Sequence, residues 1–174
     1  EDLAKRLGGM DKVPRLSAKV LATNNLEQVV EDNDFIFLSL TMDRLPDYLR
    51  MIRDCGMIPG LSAHMPEVVI YAASCEYDVQ TYIQIYNCLG FLMQIETESV
   101  HKIIHAAKKP VMTIKPLAAG QLRPFQALTF VWNTLRPCDM VTVGTIAAEE
   151  AEELVEMSLQ ILAGQTAPGQ LQRT

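Results

Sequence analysis

Pro110-Val-Met-Thr-Ile-Lys-Pro-Leu-Ala-Ala-Gly-Gln-Leu122 is the stretch whose reading decides the fold. Val111 to Ile114 is an apolar run of the length of one buried strand. Lys115 and Pro116 end it, and Gly120 lets the chain turn tightly. The same pattern recurs at Asp139-Met-Val-Thr-Val-Gly144, where a strand over 140–143 runs into an amphipathic helix over 148–162. Strands that are apolar throughout, alternating with helices, predict parallel β/α units with both sheet faces covered.

The same alternation extends towards the N-terminus. Phe35-Ile-Phe-Leu-Ser-Leu40 reads as a buried strand. Arg44-Leu-Pro46 opens a helix over 47–55, which Gly56 stops. Strands follow at 57–61 and 79–86, separated by a helix that begins at Pro66. Thr97 caps a helix with apolar residues at 100, 103, 104 and 107, and a further helix is expected over 124–135. Lys19–Thr23 offers a short strand, and Leu26–Glu31 has helical spacing.

Five strands, each followed by a helix or a helix-length segment, make an α/β chain of five to six β/α units. A parallel (β/α)₈ barrel of the TIM type needs about 250 residues. With 174 residues, this chain is either part of such a barrel or an open doubly wound sheet. No linker divides it: residues 1–163 read as one domain and 164–174 as a flexible tail.

Composition narrows the function classes. The chain is 49% hydrophobic and 21% charged, which suits a globular domain with a sizeable core. A net charge of −6 and the lack of any aromatic-laced basic patch argue against nucleic-acid binding. No apolar run approaches the roughly 20 residues of a membrane span, and the polar start Glu1-Asp2-Leu3 does not read as a secretory leader. Cys55, Cys75, Cys88 and Cys138 lie far apart, so reduced thiols and a cytoplasmic setting are expected rather than a zinc site or disulfide framework.

In a parallel barrel the chemistry sits where strands end, so the strand-to-helix junctions carry the functional reading. Ser62-Ala-His64 places a hydroxyl and an imidazole at one such end, suited to acid–base work or to capping the next helix. Asn87 follows the strand at 79–86; it either meets a ligand or makes the turn. Tyr82, Gln84 and Tyr86 share one face of that strand, and whether this face points inward is open. Lys115 ends a buried strand, where an amine serves as a Schiff-base or anion group, or pairs with a carboxylate. Gly144-Thr145 precede a helix N-terminus, a geometry that suits phosphate, but Glu149, Glu150, Glu152 and Glu153 crowd that first turn. His101 and His105 stand one turn apart without the glutamate of a metalloprotease helix and read as a solvent face.

Lys115-Pro-Leu-Ala-Ala-Gly-Gln-Leu122 resembles a Lys-Pro-Leu-x-x-Gly-x-Leu segment found after the seventh strand in divergent members of the aldo-keto reductase superfamily. Three further segments resemble that family in the same order. Gly60-Leu-Ser-Ala-His64 is similar to its segment after strand five, and Ile85-Tyr-Asn87 to the one after strand six. Val141-Thr-Val-Gly-Thr-Ile-Ala-Ala-Glu-Glu-Ala-Glu-Glu153 is similar to its strand-eight loop and helix.

The resemblance spans residues 34–162 and implies strands four to eight of a barrel. It implies NADP or NAD as cofactor and reduction of a small carbonyl compound as activity. Ser62 would then hold the nicotinamide carboxamide, with Asn87, Leu117, Lys115, Gly144 and Thr145 along the cofactor path. Ala63, Ile83, Ile114, Glu150 and Leu154 replace family residues, the last two in the motif that grips the 2′-phosphate. The family's catalytic Asp, Tyr, Lys and His have no counterpart in the matched segments.

Two other readings stand beside this one. A lyase or isomerase would use His64, Lys115 and Asn87 on a small carbonyl or sugar-like substrate. A non-catalytic barrel portion would assemble through its open sheet edges, with a second copy as a natural partner.

Overall fold

A computed structural model describes residues 44–164, all within the compact unit Leu40–Thr174. The strand expected at Phe35–Leu40, the segments 19–23 and 26–31, and residues 165–174 lie outside the described residues.

The element order is α1 (Leu45–Asp54), β1 (Gly60–Ser62), α2 (Glu67–Ser74), β2 (Thr81–Ile85), α3 (Thr97–Ala106), β3 (Val111–Ile114), a 3₁₀ turn (Ala118–Gly120), α4 (Pro124–Thr134), β4 (Met140–Thr142) and α5 (Ala148–Leu162). Pro46 and Pro124 sit in the first turns of α1 and α4, where a missing N–H costs nothing. β1 begins at Gly60 and not at residue 57, because Pro59 has no N–H to give a ladder; the register opens with Gly60 opposite Thr81. Gly60 is also a close approach: a Cβ there would lie 2.9 Å from Thr81 Cγ2.

The four strands form one parallel sheet in the order β1-β2-β3-β4. Sequential order means that each right-handed crossover deposits its helix on the same face. The core agrees. Leu61, Tyr82 and Val111 are in register, Val141 lies opposite Thr113, and these apolar residues pack with Leu49, Val69, Ala72, Val100, Ile104, Leu128, Val131 and Leu154 from the helices. This settles the orientation of β2: Tyr82, Gln84 and Tyr86 face the helices, while Ile83 and Ile85 face the other way. Phe130 and Trp132 of α4 pack against the same core.

A buried ion pair clamps the opposite end of this layer. Asp139, just before β4, accepts hydrogen bonds from the Val111 N–H at 2.8 Å and the Arg136 N–H at 3.0 Å. Its carboxylate also takes the Arg136 guanidinium through Nε at 2.9 Å and Nη2 at 2.7 Å. Arg136 turns its remaining donors to the carbonyls of Ala107 and Lys109, beyond the end of α3. One pair thus ties together the end of α3, the start of β3 and the start of β4. Burial pushes the Asp139 carboxyl up, but the Arg136 hydrogen bond and the two backbone donors outweigh this and hold it below the usual carboxylate range.

Asp139→Ala leaves the Arg136 charge without its partner, so urea unfolding should show a loss of about 3–5 kcal/mol. Because the folded carboxyl titrates below its unfolded value of 3.8, its contribution is present above that value. It is lost as pH falls through the lower folded value, an acid-unfolding step that Asp139→Asn should remove.

Candidate functional site

Parallel strands in sequential order put four C-terminal ends along one edge of the sheet. Ser62 and His64 follow β1, Asn87 follows β2, Lys115 and Leu117 follow β3, and Gly144 and Thr145 follow β4. Neighbouring strands are about 4.8 Å apart, so the ends of β1 and β3 are separated by roughly 10 Å. That separation is too wide for groups at the ends of β1 and β3 to share one proton directly.

The centre of this edge is rigid. Asn87 is fully buried, and both ends of its amide are taken by Phe91: Oδ1 accepts from the Phe91 N–H at 2.8 Å, and Nδ2 donates to the Phe91 carbonyl at 3.0 Å. Its own carbonyl accepts from Thr97 Oγ1 at 3.4 Å, at the start of α3. The turn pinned in this way delivers Phe91 and Cys88 to a small apolar cluster with Leu117, Ala118, Leu122 and Ala127. The loops after β2 and β3 are therefore locked to each other.

The loop after β3 is strained. Lys115 (φ 59°), Ala118 (φ 50°) and Ala119 (φ 56°) all take the left-handed conformation that favours glycine. The turn persists because it is closed by hydrogen bonds from Ala118 N–H to the Lys115 carbonyl (3.1 Å) and from Gly120 N–H to the Leu117 carbonyl (2.9 Å). Buried Pro116 and Ala118 hold it from inside, while Lys115 and Leu117 are left half-buried. Strain of this kind, about 1 kcal/mol or more per residue, concentrates at ligand-binding and catalytic loops.

The outer junctions are more open. Ladder bonding continues past β1 through Ala63 N–H to the Ile83 carbonyl at 3.2 Å, which leaves the Ser62 and His64 side chains exposed. Gln84 reaches this junction from β2. Its Nε2 approaches the His64 carbonyl at 3.5 Å, and its fully buried Oε1 has no partner. After β4, Gly144 and Thr145 are exposed, and Glu150 bends back to accept from the Ile146 N–H at 2.9 Å. That bond meets one donor just before α5, whose cap residue Ala147 makes no side-chain cap hydrogen bond.

Two features escaped the sequence reading. Gln84 stands between Ile83 and Ile85, and that polar interruption was the available signal. The face of His101 and His105 is only partly open to solvent: His105 is exposed, though it reaches the Thr134 carbonyl at 2.8 Å, and His101 is half-buried against Tyr86. Their partners lie 15 and 29 residues away, beyond the reach of helical periodicity.

A groove of about 370 Å³ lies between α4, β4 and α5, lined by Trp132, Val143, Leu154, Val155 and Leu159, with Thr145 at one end. Its lining is mostly apolar, and it meets the end of β4 at Val143 and Thr145. Among the described residues, no group of three or more His, Cys, Asp or Glu could hold a metal ion. None of their helices is long and apolar enough to cross a membrane. Cys55, Cys75, Cys88 and Cys138 are free thiols. No protein-family model, curated protein or solved structure matches the chain.

Asn87→Ala strands the buried Phe91 N–H, so thermal or urea unfolding should register a loss of about 2–3 kcal/mol. Ala119→Gly relieves a left-handed alanine at an exposed position and should gain about 0.5–1 kcal/mol in the same measurement.

Proposed function

We propose that this chain forms one arc of a (β/α)₈ barrel of the aldo-keto reductase kind, whose strand ends hold a nicotinamide dinucleotide beside a small carbonyl compound. The observation that carries this reading is the strand order. Doubly wound sheets reverse direction at a switch point and take helices on both faces, whereas a barrel winds one way. Four parallel strands in sequential order, packed by helices on one face, have the winding of a barrel wall. The ordered segments at Ser62, Asn87, Lys115–Leu122 and Val141–Glu153 then lie along the rim where such an enzyme works.

The residues present fit one part of the cofactor better than another. Ser62 is exposed at the end of β1 and suits the carboxamide. Half-buried Lys115 and Leu117 border the middle of the path. Asn87 contributes by fixing the turn between them, since its amide is engaged with Phe91. The 2′-phosphate of NADP does not fit: Glu150 occupies the position expected to grip it, already bonds the Ile146 N–H, and stands beside Glu149. The reading is therefore of NAD, which exchanges a hydride when bound. The family's proton donor has no counterpart in the matched segments, so the role assigned to these residues is holding and orienting.

Fluorescence titration of the whole chain with NADH and NADPH tests this. NADH should bind at least about tenfold more tightly than NADPH, a difference near 1.4 kcal/mol. Leu117→Asp should weaken NADH binding by a similar factor. Binding of neither nucleotide removes the cofactor reading.

A second reading is favoured by the half-buried Lys115 amine on its strained turn. A lyase or isomerase would join this amine to a carbonyl carbon with loss of water, as His64 moves a proton nearby. Borohydride in the presence of small aldehydes or ketones should then fix a covalent adduct on Lys115, visible in a peptide mass spectrum. An unmodified Lys115 under those conditions excludes this reading.

A further inference from the structure

Three elements meet at the hydroxyl of Tyr86, a buried side chain just beyond β2. Its Oη lies 3.2 Å from His101 Nδ1 on α3 and 3.1 Å from Thr134 Oγ1 on α4. Phe130 tilts against the Tyr86 ring with centroids 5.2 Å apart, and the His101 and His105 rings lie 4.1 Å apart. His105 Nε2 closes the group on the Thr134 carbonyl at 2.8 Å.

Donor bookkeeping orders the protons in this group. Thr134 Oγ1 donates to the Phe130 carbonyl at 2.8 Å, so it accepts from the Tyr86 hydroxyl. Tyr86 Oη then accepts from His101, which carries its hydrogen on Nδ1. A carbonyl can only accept, so His105 carries its hydrogen on Nε2. Each ring keeps one bare nitrogen. A proton on either makes a cation, and a second proton puts two cations in rings 4.1 Å apart.

We propose that this cluster is an acid-sensitive clasp. It holds the end of β2, and with it the Asn87–Phe91 turn, against α3 and α4 while the histidine pair carries no more than one added proton, that is, no more than one positive charge. The carboxylate near it, Glu98, is exposed and screened by water, so it offsets a second proton only in part. On α3, Glu98 is close enough to act on Tyr86, and Lys102, between the histidines, is exposed. α4 presents the neutral Phe130 and Thr134, and Arg136 beyond it is committed to Asp139 and to the carbonyls of Ala107 and Lys109. β2 contributes Tyr86, whose hydroxyl is pushed up, chiefly by burial.

Burial and then the neighbouring His105 hold His101 below its ordinary value of 6.5. A lowered histidine contributes stability that is present above the unfolded value and is lost as pH falls through the folded one. The clasp therefore loosens in mild acid, below about pH 6.5. This does not depend on which ligand the strand ends take.

The test uses the whole chain. Histidine ring signals are followed by NMR from about pH 8 to about pH 4.5, with exposed His64 as the reference outside the cluster. His101 should titrate below its ordinary value of 6.5. His105→Gln should raise the His101 midpoint. Amide protection factors over residues 86–91 should fall by about tenfold or more from about pH 8 to about pH 4.5, while α2 is unaffected. A His101 midpoint at or above 6.5, a His101 midpoint unmoved in His105→Gln, or equal acid loosening of α2 and residues 86–91 would each overturn the proposal. The wild-type titration decides even where the variant does not fold.

Discussion

The carboxylate of Asp139 is the constraint on which the described layer depends. A parallel sheet of short strands has little ladder to hold its register: β1 and β4 have three residues each. Asp139 compensates by bonding the first N–H of β3 while sitting at the threshold of β4, so the two strands start from a common point. Arg136 extends the same link to the end of α3. The pair is favourable because almost every donor and acceptor in it is used; a buried pair left half-satisfied would be a cost rather than a gain.

At the other end of the strands the problem is solved without charge. Asn87 copies a backbone turn with its side chain, and the cluster around Phe91, Leu117 and Ala118 fixes one loop against the next. That packing also accounts for the left-handed residues after β3. Lys115, Ala118 and Ala119 can keep side chains where glycine would be easier because Pro116, Ala118 and Leu122 are buried and the turn is closed by its own hydrogen bonds. The loops that border the candidate site are thus defined by sterics and backbone bonding, and the polar groups facing outward are left available.

Much of the alternation was legible in the sequence. Val111–Ile114 and Ala148–Leu162 fall where the apolar run and the helical spacing put them, because Lys115-Pro116 and Gly164 are unambiguous punctuation. The start of β1 was misjudged by three residues because apolar content alone cannot weigh the missing N–H of Pro59. The candidate positions were legible as strand ends, but what each side chain does there was not. Asn87 reads equally as ligand group or turn-maker until Phe91 is seen in its amide. The histidines of α3 read as solvent-facing because spacing within a helix says nothing about Tyr86 or Thr134, which arrive from other elements. Gln84 was visible as a residue and invisible as an unpartnered buried amide.

The four strand ends also differ in how often they are in place. β2 and β3 have ladder partners on both sides, whereas within the described layer β1 and β4 have one each. Opening free energies follow such differences, so within this layer the central pair is the harder to part. Asn87 and Lys115 belong to that centre. Whatever meets the rim at its centre would therefore find Lys115 on a turn that is closed by its own bonds and backed by the Asn87–Phe91 turn, a surface already in shape before anything arrives.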